Sequence, residues 1–336
     1  MKKKLVYILF VSFLLVSCGS KNDFNVDVSN ISVNVELERF DEDFNTIKPE
    51  NIYDSLPALR GKYGDFFDLY VEAIAGLTSA ESSTFLSNYE DFYQYCKLNS
   101  IFSDIEKTFP KNEDLRTLFS DGFKHFKYYF PADSLPKIYT IVSGFQESVF
   151  PTDDIIAFSL EKYFGCDYPS YAQLGIENYK RRRMTKEAMP VDYFRTLAAL
   201  KYPKDEKNED NLLNEMIYKG RLQFFLKSML PSAPDSLLWG YSDYQYRWAA
   251  EYESNVWTYL IDRKLLFETN SLAIRNLTGE GPFTNAFGNQ SAPGVATFCG
   301  FGIVCSFMQK NPEITLKNLM EITDLNSIYA KARYNP

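Results

Sequence analysis

The apolar stretch LVYILFVSFLLV, residues 5–16, follows Lys2, Lys3 and Lys4 and runs into Leu15-Val16-Ser17-Cys18. A positive start, an apolar middle and a short exit make an export signal. A single-pass helix needs about 17–25 apolar residues, more than this run supplies. The segment therefore fixes where the rest of the chain folds: beyond the membrane it is exported across. Leu15–Cys18 has the local pattern of a bacterial lipobox, which makes Cys18 the first mature residue, thioether-linked to diacylglycerol and acylated on its nitrogen, palmitate being one such acyl chain. A plain cleaved signal with a chance cysteine is the alternative. Lasting attachment needs more than one acyl chain, each buried methylene being worth about 0.8 kcal/mol.

Removing the first 17 residues leaves 319 and takes away three lysines, so the formal charge of −8 becomes −11. An acidic body of this kind opposes nonspecific nucleic-acid binding, which draws its affinity from neutralised phosphates. The exception, Lys180-Arg181-Arg182-Arg183, reads as a solvated helix end or a local protein contact. With Cys18 set aside, Cys96, Cys166, Cys299 and Cys305 remain. Export permits disulfides among them, and three pairings are possible. Cys299 and Cys305 can pair if a turn brings them together, and buried thiols are the other reading. With 24 Tyr and 28 Phe, the chain has the aromatic mass for a thick core or for broad interaction faces.

The division expected is a signal peptide at 1–17, a lipidated spacer at 18–35 ending in an edge strand, and one α+β domain at 36–336. Residues 36–130 read as helices joined by turns, with boundaries at Pro57 and Pro110. Leu115, Leu118, Phe119, Phe123, Phe126 and Phe130 form an apolar stripe, and His125, the sole histidine, reads as a hydrogen-bonded surface or boundary residue. The stretches 137–145 and 153–164 read as short strands. Helical patterns return in VDYFRTLAALKY and in EDNLLNEMIYKGRLQFFLKSML, where Gly220 shares a face with Leu213, Met216, Ile217 and Phe224 and permits close backbone approach. Trp248, Tyr252, Val256 and Leu260 form a further progression. The glycine-rich stretch 282–312, with Gly288, Gly294, Gly300 and Gly302, interrupts the helices in tight turns and close packing, and Asn311-Pro312 opens a last helix.

LNEMIYKGRLQFFLKSMLP, YRWAAEYESNVW, PFTNAFGNQSAPG and GFGIVCSFMQKNPEITLKNLM, taken with the lipobox, resemble the gliding-motility lipoprotein GldB family of the Bacteroidota. That resemblance implies a cell-envelope component needed for gliding, acting in assembly or stability of the motility and secretion apparatus, with machinery proteins as partners. The middle is also similar to zinc-dependent peptidases, in which a glutamate directly before a glycine is a ligand. In this chain Lys219 precedes Gly220. A HExxH helix supplies two histidines and a general base, and DYFRTLAALKYP contains no histidine. Glu215 and the acids of 206–210 are the residual candidates for a hard cation, against the simpler reading of a solvated acidic face. The expectation is a degenerate zincin-like architecture, predominantly helical with a small central mixed sheet, carrying no catalytic, cofactor or metal site, and Trp248 and Trp257 at an interface or in the core. A divergent envelope peptidase or other hydrolase is the rival reading. Gly19 after Cys18 favours the outer membrane over the inner.

Overall fold

The computed structural model describes residues 24–205, 208 and 210–336. Cys18, the signal and the acids Glu206 and Glu209 lie outside the described residues. Four strands, β1 (Leu37–Arg39), β2 (Lys137–Ile141), β3 (Val149–Pro151) and β4 (Ile155–Ser159), form one sheet in the order β1-β2-β4-β3. β1, β2 and β4 run parallel, and β3 pairs antiparallel to β4. The edge strand expected by residue 35 begins two residues later, and β3, short and closed by a proline, was not legible as a strand.

Successive side chains of a strand point to opposite faces, and here both faces are covered. Ile138, Ile156 and Phe158 enter one apolar cluster, whereas Tyr139, Ile141 and Ala157 enter another. The second cluster is closed by residues of 40–89, among them Phe67 and the rings of Phe40, Phe44, Tyr70 and Tyr89, which meet at centroid distances of 4.5–5.5 Å. Two-sided burial accounts for strands that read as near-continuous apolar runs. The first cluster continues through the Asn112–Tyr129, Met189–Lys201, Leu212–Met229 and Val295–Lys310 helices.

Gly220 and Gly300 meet at a close helix crossing. A Cβ on Gly220 would overlap the backbone of Gly300, and one on Gly300 would overlap the Met216 carbonyl. The close approach expected at Gly220 is thus found, with a second glycine as its partner.

Several boundaries differ from the sequence reading. Pro57 lies inside the Ile52–Tyr63 helix instead of ending one. The proline costs the Tyr53 carbonyl its helical donor, and Tyr53 sits at the surface, 50% exposed, where water can replace it. Residues 295–310, read as part of an interruption, form a continuous core helix. Asn311 ends that helix by donating its side-chain amide to the Phe307 carbonyl at 2.7 Å, and Thr315 with Asn318 starts the next. The Trp248–Leu260 progression is split at Tyr252 into the Asp243–Glu251 and Glu253–Asp262 helices.

Candidate functional site

A groove of about 880 Å³ lies beside β3. It is lined by the loop 146–148 and Val149, by Asp192 and Arg195 of the Met189–Lys201 helix, and by Lys219, Leu222 and Leu226 of the Leu212–Met229 helix. Trp239, Gly240, Tyr241 and residues 278–281 also line it. Strand pairing explains the open side: Ser148 and Thr152 make the ladder bonds to β4, so by antiparallel alternation Val149 directs its N–H and C=O away from β4.

Asp192 organises the charge. Its carboxylate is buried, accepts from the Tyr163 hydroxyl at 3.0 Å, and pairs with both Arg183 and Arg195, the latter at 3.2 Å. Arg183 also reaches Glu280 at 3.0 Å, and Arg195 donates to the Leu238 carbonyl at 2.7 Å. Lys219 pairs with Glu215 at 3.2 Å and donates to the Thr278 carbonyl at 3.0 Å. Arg183, Asp192, Arg195 and Glu280 form one ion-pair network, and Lys219 with Glu215 and Thr278 forms a second.

The two guanidiniums are not equally compensated. Burial opposes the charge of Arg183, but Asp192 and Glu280 outweigh it and hold the group above its usual range. Burial and then the neighbouring Arg183 act on Arg195 more strongly than Asp192 can offset, and its pKa falls to about 10. Lys162, which donates to the Gln146 carbonyl at 2.7 Å, is lowered by burial as well.

Behind the groove, Glu161 is fully buried. One of its oxygens accepts from the Ser143 N–H at 2.6 Å, the Ser143 hydroxyl at 2.9 Å and the Phe145 N–H at 3.1 Å. The other oxygen has no hydrogen-bond partner among the described residues, and burial pushes this carboxyl up despite those donors. Glu161 thereby holds the 143–146 turn, where Gly144 and Phe145 both have positive φ.

The region that the peptidase resemblance marked for a metal is therefore filled by ion pairs. Lys219 and the DYFR segment do meet in one cavity, but they bring a lysine, an arginine and a single carboxylate. Among the described residues, no group of three or more His, Cys, Asp or Glu is placed to hold a metal. His125 lies in the Asn112–Tyr129 helix, buried where a surface or boundary site was expected, with Nδ1 2.9 Å from the Asp121 carbonyl. Glu215 pairs with Lys204 and Lys219, and Asp210 with Lys204. Cys299 and Cys305 share one helix, which sets them about 9 Å apart along its axis, too far for a bridge.

Trp257 is buried against Tyr329 and Tyr334 at 6.1 and 5.0 Å. Trp248 is half-buried and stacks on the exposed Tyr252 at 4.9 Å. Arg183 belongs to the basic run, where a local protein contact was one reading. Asp192, Arg195, Trp239 and Glu161 were missed, because each stands alone in sequence and acquires its neighbours only in the fold.

No described helix is long and apolar enough to cross a membrane. Comparison with curated proteins and with solved structures finds no match. A family model described as "Gliding motility protein GldB" matches residues 21–336. Covering nearly the whole chain, that match places the protein in the GldB family, which is linked to gliding motility.

Proposed function

We propose that this chain is a noncatalytic, lipid-anchored component of the cell envelope that supports assembly or stability of the gliding machinery and its associated secretion apparatus by holding a protein partner in the groove beside β3. The observation that carries this reading is the Asp192–Arg183–Arg195 cluster. Ion pairs occupy the place where a peptidase of this outline would need metal ligands, while the cavity and the outward backbone groups of Val149 persist. A free strand edge is a ready template for pairing with another polypeptide. The proposal includes acylation of Cys18, with the outer membrane as the favoured site and machinery proteins as partners. The body keeps a peptidase-like outline that has been turned to binding.

The test is site-specific photocrosslinking in gliding cells. A crosslinker at Leu174, exposed on the groove rim, is expected to capture a defined envelope protein, whereas one at Leu98, 83% exposed and not part of the groove lining, is not. Equal capture from both positions, or none from Leu174, overturns the assignment. Peptide-bond cleavage by the purified chain, lost on Asp192→Asn substitution, would replace it with the hydrolase reading.

A further inference from the structure

One side of the groove is pinned from behind by a single carboxyl group. Ser143 and Phe145 give Glu161 three hydrogen bonds through one oxygen, and the Gln146 N–H donates to the Ser143 hydroxyl at 3.2 Å. The chain then enters the groove directly, because Gln146, Glu147, Ser148 and Val149 all line it. The Ser148 carbonyl accepts from the Ser159 N–H at 3.1 Å and so ties this loop to β4. Phe145 holds a positive φ of 66°, which a residue bearing a Cβ rarely adopts. Such a backbone persists only while its surroundings hold it in place.

The same surroundings suit a carboxylate anion badly. Glu161 is fully buried, and its second oxygen has no hydrogen-bond partner among the described residues. The Tyr70 hydroxyl is committed to the Val142 carbonyl at 2.7 Å, and the Tyr171 hydroxyl to the backbone carbonyl of Glu161 at 2.8 Å. Tyr95 and Cys96, of the Phe85–Leu98 helix, face it too, and burial pushes all four of these groups up, so that they stay neutral beside it. Lys162 is the cation beside it, and its ammonium is taken by the Phe145 and Gln146 carbonyls at 3.3 and 2.7 Å. A proton on the second oxygen leaves the first free to accept from the turn, whereas the anion must stay out of water.

We infer that Glu161 is a proton-controlled latch on the groove: protonated, it keeps the 143–146 turn pinned, and on ionisation the turn opens and frees the loop 146–148. A pinned carboxyl holds its proton more tightly than an opened, hydrated one, so opening releases a proton and gains ground as pH rises. The device does not depend on what occupies the groove.

The experiment is hydrogen–deuterium exchange of the purified full-length chain in detergent, read at single residues between pH 5 and 9 and corrected for the intrinsic rise of exchange with pH. Protection at Ser143, Phe145, Gln146 and Ser159 is expected to fall together, by up to about tenfold per pH unit once Glu161 ionises. Ile138, whose N–H is bound to the Glu36 carbonyl at 2.9 Å, is expected to keep its protection. Glu161→Gln stands in for the protonated form and is expected to make the four amides independent of pH. Ser143→Ala removes one donor to the anion, so the pH at which protection begins to fall is expected to move upward.

Flat protection in the parent overturns the latch. A fall that persists in Glu161→Gln, or an onset unmoved in Ser143→Ala, assigns the titration to another group and overturns it as well. A fall shared by Ile138 shows unfolding of the body in place of a local opening, and a fall that spares Ser159 confines the motion to the turn and severs it from the groove.

Discussion

Among single residues, Glu161 has the clearest consequence for stability. Its folded-state pKa lies above the ordinary 4.5 because burial disfavours the anion. The folded form therefore binds the proton more tightly than the unfolded chain does, so the contribution is full below about 4.5 and is lost as pH rises toward and through the raised pKa. Glu161→Gln keeps an oxygen for the Ser143 and Phe145 donors and removes the titration. Relative to the parent, this variant is expected to gain stability as pH is raised from about 4 to 8, read as the difference in urea midpoint across pH; a constant difference would contradict it. None of this was legible in the sequence, where Glu161 is one acid in DDIIAFSLEKYF. A carboxylate's role is set by what surrounds it, and the turn at 143–146 reaches it only once β2 and β4 are paired. Arg195 and Asp192 were hidden for the same reason, whereas Lys219 stood out because a glutamate was looked for there.

For the helices and strands, periodicity carried most of the architecture, including the two long strands and the Asn112–Tyr129 and Leu212–Met229 helices. It failed where its physical basis fails. The Val295–Lys310 helix is apolar on nearly every side because it crosses the core, so it shows no amphipathic stripe, and its glycines read as punctuation. Those glycines are contact residues. Gly300→Ala places a methyl against the Met216 carbonyl, and overpacking of this kind costs about 1–3 kcal/mol or more. The expected result is a fall in the thermal midpoint with little change on Gly302→Ala if the Tyr334 and Glu253 side chains give way; equal losses would show that backbone contact is not the deciding feature. The two tryptophans divide similarly. Trp257→Ala removes a buried ring and is expected to cost about 3–5 kcal/mol, whereas Trp248→Ala, at a half-buried stack, is expected to cost less than half of that. Thermal melting of the two variants side by side checks the order, and a reversed order would place Trp248 in the core.

For the whole molecule, the sequence indicated a mainly helical body with a small mixed sheet, and the structure has both. The groove was not visible, since it is assembled from segments scattered between residues 146 and 297. The proposed lipid attachment is tested separately from the fold. Cys18→Ser removes the thiol needed for diacylglyceryl transfer, and incorporation of labelled lipid is expected to vanish while the folded body melts unchanged; lipid incorporation that persists would refute the lipobox assignment. The Gly220–Gly300 crossing bears on how the groove works once the protein is in place. It keys the helix that carries Lys219 and Leu222 to the Val295–Lys310 helix with backbone against backbone, so this wall has no slack along which to slide or roll. Capture of the proposed partner would then draw on side-chain rotamers and the flanking loops. Little order remains to be imposed on this wall at the moment of encounter, which lowers the entropic penalty of association and makes the cavity a preformed mould in place of a closing jaw.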